Sequence, residues 1–409
     1  MTLAARALRR PLTTAAATLA FVLLGSVSLD RSSVAPPLGV LLTWTASLAQ
    51  AQVETTATEA WRSDTAIFAT PRAIVVTRDC LVWVADPRSG LYRFGCHGRF
   101  LGAAGRVGRG PGEWQRPWLV SRAAADTVAL FDPNLQRLTY YTSAGQFVRL
   151  RPVAITEQSQ GRVMGATAAA DGRVLVWTDN YPYGDFRPDE QESYVWGVDP
   201  NGVSKDTILH FAGPQSIVNR EGRRISRIDA PFRRRPWVLL RSDGLVVGNS
   251  GDNSFVLYGL NGVRRTSFAV SLPPALRVTE ADRRQYQDSV RASYFEELDR
   301  NRYGPELRGQ FTEGFDRLMS LVRYPSSWQR YDLAVAADDD TMWLLLPSRG
   351  HYQRTWLRVD LTGRVLGRIG VPHRGNVAAA AVAGALLYVV ETARGDETAS
   401  LAAYQWREP

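Results

Sequence analysis

GRVGRGPGEW, residues 105–114, places four glycines in its first eight positions. Glycine loses too much backbone freedom inside a helix or a strand for the segment to be either. Apolar, alternating segments flank it on both sides, so it reads as a connector between two like units.

The units become visible from Arg72 onward. An apolar segment ends in a turn bearing Asp, at Asp79, Asp126, Asp171, Asp243 and Asp339. A β-branched or aromatic run follows each turn: 81–85, 128–131, 174–177, 245–247 and 342–346. A polar turn, a third strand and a turn closed by Gly98, Gly145, Gly202, Gly262 or Gly363 complete the pattern, and a fourth strand follows each glycine. In three units the Asp and the Gly are equally spaced: 79 to 98, 126 to 145 and 243 to 262. Four short strands per unit, repeating at roughly 45 residues, are the signature of propeller blades. A sixth unit, residues 376–406, stops after three strands. An otherwise unpartnered strand at 61–68 is placed to supply its fourth, and such a strand closes a ring without leaving a free edge. The expected fold is all-β: a six-bladed β-propeller of four-stranded antiparallel blades, closed by an N-terminal strand.

The run GPGEWQRPWLVSRAAADTVALFDPNLQRLTYYTSAGQFVRL, residues 110–150, resembles an NHL-type repeat. Gly110, Gly112, Trp114, Pro117, Asp132, Arg137, Gly145 and Phe147 fall where that pattern has its Gly-rich opening, aromatic, proline, strand-ending Asp, third-strand Arg and Gly-x-aromatic turn. Residues 81–100 match less fully, and the other four blades depart from the pattern, with no second Gly-Pro-Gly-Glu. The resemblance, to the TolB-like propeller superfamily, implies a six-bladed propeller similar to exported bacterial proteins of undefined activity. It brings no catalytic residue with it.

One insertion interrupts the ring, over residues 274–328. Thr279 and Asp282 have the spacing of a capping box, and Tyr286, Val290, Tyr294, Phe295 and Leu298 continue at helical intervals. A second helix is expected from Pro305, with Leu307, Phe311, Phe315, Leu318, Met319 and Val322 on one face. The apolar faces call for burial, most simply against the propeller.

Hydrophobic content of 45% and charged content of 22% are those of a folded globular chain, so residues 52–409 are read as propeller throughout. The formal charge is +9 and the basic residues are nearly all Arg, with Lys205 the exception. At the N-terminus Arg6, Arg9 and Arg10 precede an apolar run over 12–29. Asp30 and Arg31 interrupt it, and a second apolar run over 38–48 ends in Ala49-Gln50-Ala51, a small-x-small cleavage pattern. Residues 1–51 are therefore expected to be a signal peptide or an N-terminal anchor, with the mature chain periplasmic or secreted. Cys80 and Cys96 flank the hairpin 81–95 at near-mirror positions, and a disulfide is expected between them in an exported chain. A metal site there lacks further ligands, although His97 is adjacent.

Propeller topology sorts the loops. Second-to-third turns and blade-to-blade connectors emerge on one face, short Asp and Gly turns on the other. The first face gathers the Gly-rich connector, the Arg-rich connector 220–235, the helical insertion, the loop 180–186 and the segment 349–352. Binding concentrates on such loops, and the candidates are Arg106, Arg109, Glu113, Trp114, Tyr181, Tyr183, Arg223, Arg224, Arg234, His351 and Tyr352. Arg106 and Arg109 beside glycine amides suggest a phosphate cradle. The P-loop Lys-Ser/Thr is missing, and a plain inter-blade turn explains the same residues. The Arg-rich connector suits a polyanion or acidic glycan, or a solvated rim paired with local acids. Asp338-Asp339-Asp340 lacks a calcium-loop pattern, and Arg394-Gly395-Asp396 sits at an ordinary hairpin turn.

The axis-lining first strands are small and aliphatic, so no metal site and no catalytic residue is assigned, and no cofactor is expected. The function expected is binding of a protein or carbohydrate partner through the loop-rich face, without catalysis and without nucleic acid. A membrane enters only through an uncleaved N-terminal segment, and a monomer is expected. The alternative is a lactonase-like hydrolase or lyase with its site at the channel mouth; a third reading is a surface protein that gathers polyanions.

Overall fold

The computed structural model describes residues 54–63, 67–123, 127–153, 161–169, 172–180, 191–199, 204–221, 224–241, 243–300, 305–337, 340–349, 353–392 and 399–407. They build six antiparallel blades in chain order. Blade 1 comprises Ala73–Val76, Val82–Asp86, Gly90–Phe94 and Phe100–Ala103. Blade 2 comprises Leu119–Arg122, Thr127–Asp132, Arg137–Thr142 and Phe147–Pro152. Blade 3 comprises Gly161–Ala168, Val174–Asn180, Glu192–Val198 and Ser204–Ala212, and blade 4 Pro236–Leu240, Gly244–Asn249, Ser254–Gly259 and Arg264–Ala269. Blade 5 comprises Leu333–Ala336, Thr341–Leu345, Arg354–Asp360 and Val365–Val371, and blade 6 opens with Asn376–Ala383, Leu386–Thr392 and Ala399–Gln405.

The burial of each strand follows its rank in the blade. A second strand is covered on both faces by neighbouring blades, so Val82–Asp86 and Thr341–Leu345 are buried at every position and read as continuous runs, not as alternating ones. The outer strand of blade 2, Phe147–Pro152, is exposed at all but one position. The apolar core divides into six clusters, one between each pair of neighbouring blades. Trp83 and Leu91 of blade 1 meet Val128 and Tyr141 of blade 2. The last cluster closes the circle, with Tyr388 and Leu401 of blade 6 against Val82 and Phe94 of blade 1. Gly98, Gly145, Gly262 and Gly363, each at the turn before an outer strand, have φ of +78°, +84°, +78° and +91°, a region that favours glycine.

The N-terminal strand closes blade 6, at a register shifted from the one the sequence suggests. Thr58–Arg62 pairs antiparallel with Ala399–Gln405, from Thr58 opposite Gln405 to Arg62 opposite Ala402. Pairing starts at the far end of a seven-residue partner and runs out toward Ala399, where Phe68 makes only a single bridge. Just before it, Glu54–Thr56 pairs parallel with the outer strand of blade 5, giving that blade a fifth strand. Three residues are too few to show a period, so this second clasp has no signature in the sequence. The clasp is pinned by buried polar groups. Arg62 donates to Glu391 Oε2 (2.9 Å), Ser400 Oγ (2.6 Å), Glu59 Oε2 (2.8 Å) and the Tyr404 hydroxyl (2.9 Å). His373 Nδ1 lies 2.6 Å from Glu391 Oε1, and Tyr404 donates to the same oxygen at 2.7 Å. Trp356 of blade 5 sets the tautomer: an indole N–H can only donate, so His373 Nε2, 3.0 Å away, accepts and Nδ1 carries the proton.

A second device fixes the connectors. Asp86 and Asp132 each end a second strand and are fully buried. Asp132 Oδ2 accepts the amides of Gln115 (2.6 Å) and Arg116 (2.9 Å) from the incoming connector, and Oδ1 those of Asn134 (2.9 Å) and Leu135 (3.1 Å) from the turn. Asp86 repeats the arrangement with Ala69, Thr70, Arg88 and Ser89. Cys80 and Cys96, in the first and third turns of blade 1, are disulfide-bonded with Cα atoms 5.2 Å apart.

Two helices, α1 (Glu280–Arg300) and α2 (Pro305–Ser320), lie between the last strand of blade 4 and the first of blade 5. Their aromatic faces meet each other, with Tyr294 and Phe315 ring centres 4.9 Å apart. The Arg-rich connector before blade 4 is itself a hairpin, Ser216–Glu221 with Arg224–Asp229, and α2 rests on it. Part of the apolar surface of the insertion is thus buried within the insertion and on a connector, not on the blades.

Candidate functional site

The Gly-rich connector is closed by its own residues. Gly110 N donates to Glu113 Oε2 (2.6 Å), Gly108 N to the Trp114 carbonyl (2.9 Å), and Arg106 Nε to Glu113 Oε1 (2.7 Å). Arg137 donates to the carbonyls of Arg109, Gly110 and Glu113, as the third-strand arginine of the repeat. The Gly110 amide and then Arg106 hold the Glu113 carboxyl below its usual range. A side chain at Gly108 would put its Cβ 2.1 Å from Glu113 Oε2, which accounts for that glycine. Two amides that a phosphate would need are therefore committed, and a carboxylate occupies the cradle. Trp114 is buried with its indole N–H on the Ala104 carbonyl (3.0 Å). The shallow cleft on this connector, about 290 Å³, reaches from Gly105 and Gly112 to Gly145 and Phe147, toward the opposite end of blade 2.

The larger cleft, about 800 Å³, lies at the mouth of the channel. It is lined by Glu280, Ala281, Arg284, Gln285, Asp288 and Ser289 of α1 and by Asn376, the first residue of the innermost strand of blade 6. Local chemistry explains why α1 presents this side. The capping box forms: Thr279 N and Oγ1 donate to Asp282 Oδ2 (2.8 and 2.7 Å), and Asp282 N donates to Thr279 Oγ1 (3.3 Å). Arg349, from blade 5, donates to the same carboxylate from Nη2 (3.1 Å). Burial works to raise the Asp282 pKa, but Arg349 and the two Thr279 bonds outweigh it and hold the carboxyl at about 2. On the inner flank Tyr286 donates to the Asp229 carbonyl (2.6 Å), and Phe232 stacks on Trp328 at 5.0 Å. Residues 280, 284 and 288, with 281, 285 and 289, are left as one exposed stripe one turn apart. Glu280 and Arg284 pair along it at 3.7 Å.

Of the residues singled out in the sequence, Arg106, Arg109, Glu113 and Trp114 are brought together by their connector. Arg234 is exposed, packed beside Gly251. The Arg224 backbone stands opposite that of Glu221 at the end of the hairpin. Tyr181, Tyr183, Arg223, His351 and Tyr352 lie outside the described residues, as do 1–51, Asp126, Asp171, Gly202, Asp338, Asp339 and the Arg394-Gly395-Asp396 turn. The structure adds Arg284, Gln285, Asp288, Ser289 and Asn376, none of which the sequence reading had chosen. A signal for the α1 residues is present in the sequence, since Glu280, Arg284 and Asp288 recur every four positions. Among the described residues no three His, Cys, Asp or Glu side chains gather where they could share a metal ion. The innermost strands contribute few polar groups, one of them Arg122, whose guanidinium binds the Val76 carbonyl at 2.7 Å.

No protein-family model matches the chain, and no curated protein matches it in sequence. Solved structures match its fold at low identity. A member of the DUF4221 family from Bacteroides vulgatus is 10% identical, covering 88% of this chain and 99% of that one with a TM-score of 0.48. Regucalcin, a calcium-binding protein from Agrobacterium tumefaciens, is 9% identical over 87% and 97% of the two chains, with a TM-score of 0.44. Virginiamycin B lyase from Staphylococcus aureus, in an inactive form with quinupristin, is 12% identical over 82% of each, with a TM-score of 0.39.

Proposed function

We propose that this chain is an exported binding propeller that holds a polar partner on its loop-rich face, at the channel mouth between α1 and blade 6, without chemical turnover. The observation that carries the proposal is the polar stripe of α1 facing Asn376 across the 800 Å³ cleft. A helix whose other flank is tied down by Asp282, Tyr286 and their partners keeps this stripe turned to the mouth, and rigid support of that kind favours recognition. Export is supported by the charged and apolar pattern at the N-terminus.

The test is a screen of glycan and peptide arrays with the wild-type chain and with Gln285→Trp, which fills the cleft from an exposed helical position. Loss of the wild-type ligands in the variant is the expected result. Ligands that bind both proteins equally would remove the mouth as the site. Conversion of a bound glycan or lactone to product would establish the hydrolase or lyase alternative instead.

A further inference from the structure

The rim of the mouth continues beyond the cleft. All six innermost strands run in one direction, so the residues that begin them share one end of the channel. The innermost strand of blade 1 touches those of blades 6 and 2. Asn376, Arg72 and Trp118 stand at the corresponding starts of these three strands and form consecutive stations around the mouth. Trp118 is buried, and its indole N–H is fixed to the Val163 carbonyl of blade 3 at 2.9 Å. Two exposed arginines stack on it, with guanidinium carbons 4.6 Å (Arg72) and 4.5 Å (Arg116) from the ring centre. Stacking uses the flat face of the Arg116 guanidinium and does not consume its in-plane N–H fork. The Arg116 backbone is held as well, because its amide is one of the four bound by Asp132. No carboxylate among the described residues pairs with the Arg116 side chain.

We infer that the sector of the mouth formed by blades 6, 1 and 2 binds a polyuronate, a chain of sugars that each carry a carboxylate. The inference rests on the proposed role of the mouth as a binding site. Arg116, immobilised on the indole beside Arg72, takes a carboxylate through its fork, the geometry in which arginine outdoes lysine. Gln285, Ser289 and Asn376, one station away, supply the donors and acceptors that sugar hydroxyls require. The same lining argues against an acidic peptide. Among the described residues that line the cleft Ala281 is the one apolar side chain, and these residues offer no recess for the apolar side chains by which peptides are usually held.

Titration calorimetry of the full chain with hexagalacturonate, cellohexaose and hexaglutamate tests the inference. Hexagalacturonate is expected to bind, and to bind more weakly as salt is raised. Arg116→Gln is expected to weaken it about tenfold or more, the loss of a charge-assisted fork, with an unchanged melting temperature. Arg116→Lys, which keeps the charge and loses the fork, is expected to recover only part of the affinity. Hexaglutamate binding as tightly as hexagalacturonate would replace the glycan by an acidic polypeptide. Cellohexaose binding equally well, with Arg116→Gln indistinguishable from wild type, would overturn the anionic ligand yet leave the mouth as the site. Failure of hexagalacturonate to bind also overturns the inference, and the Gln285→Trp array comparison then shows separately whether the mouth binds anything else.

Discussion

Glu391→Gln probes the clasp that closes the ring. The carboxylate accepts from four groups: His373 and Tyr404 on one oxygen, Arg62 and the Arg374 amide (3.2 Å) on the other. A glutamine of the same shape must turn its NH2 toward one of these pairs, so donors face donors in either orientation, and the charge opposite Arg62 is lost. Both acid and histidine are 2% exposed or less, so water does not repair the loss. Removing one partner of a buried, hydrogen-bonded ion pair costs about 3–5 kcal/mol, which in a chain of this size lowers the melting temperature by roughly 4–7 °C. Tyr404→Phe deletes a donor to the same oxygen and an acceptor of Arg62, and should cost about 1.5–3 kcal/mol. Burial works to raise the Glu391 pKa, but the bonds from His373 and Tyr404, with the charge of Arg62, hold it below the usual range. A depressed folded pKa gives stability that is complete above the unfolded value of about 4.3 and is lost as pH falls through the folded value. The gap between wild type and Glu391→Gln, followed by calorimetric melting, should therefore be full at neutral pH and shrink below about pH 4. A variant melting within about 1 °C of wild type at neutral pH would refute the assignment of this network to ring closure.

Three further outcomes follow from the same geometry. Asp132→Ala leaves four part-buried amides without their acceptor and should cost about 3 kcal/mol, read by denaturant unfolding, with the connector amides of Gln115 and Arg116 losing hydrogen-exchange protection. Cys80→Ser, like reduction of the wild type, opens a loop with a sequence separation of 16 and should lower stability by about 3 kcal/mol, so reductant should shift the melting of wild type but not of the variant. Asp282→Asn weakens the cap of α1 and its tie to Arg349, costing about 1 kcal/mol and speeding exchange in the first turn of the helix. With the Asp282 pKa at about 2, that turn should hold in the wild type until the pH falls through this value.

The blades were legible because their signals are local. Asp79 to Gly98 and Asp126 to Gly145 repeat one spacing, and the buried second strands announce themselves as uninterrupted apolar runs. Thr279 and Asp282 gave the start of α1 for the same reason, since a capping box is complete within four residues. The strand at 54–56 was not legible, because its existence depends on a partner more than three hundred positions away and on nothing in Glu-Thr-Thr itself. The hairpin over 216–229 is not legible in the sequence, which presents an Arg-rich connector over 220–235 whose charge obscures the alternation. The mouth was legible only as a face. Which α1 side chains meet Asn376 depends on the rotation of the helix, set by Tyr286 on the Asp229 carbonyl and Arg349 on Asp282, contacts 57 and 67 residues apart in sequence.

The charge of the rim and the rigidity of the scaffold have a common origin. The chain carries 40 acidic and 49 basic residues, a modest excess if the acids were free to pair at the surface. Several are not: Asp86, Asp132, Asp179, Asp282 and Glu391 are all buried. Those of blades 1 and 2 hold connector amides, Asp282 holds the start of α1, and Glu391 holds the clasp, with Arg62 and His373 turned inward beside it. Each carboxylate drawn inside removes a surface partner for an arginine, and arginine cannot shed its proton in compensation. The connectors that these acids immobilise end in Arg72 after the Asp86 loop and in Arg116 after the Asp132 loop. The residues that deplete the surface of negative charge are thus the ones that fix where positive charge is displayed, and blades 1 and 2, where the buried Asp is most regular, are the blades whose arginines meet on Trp118.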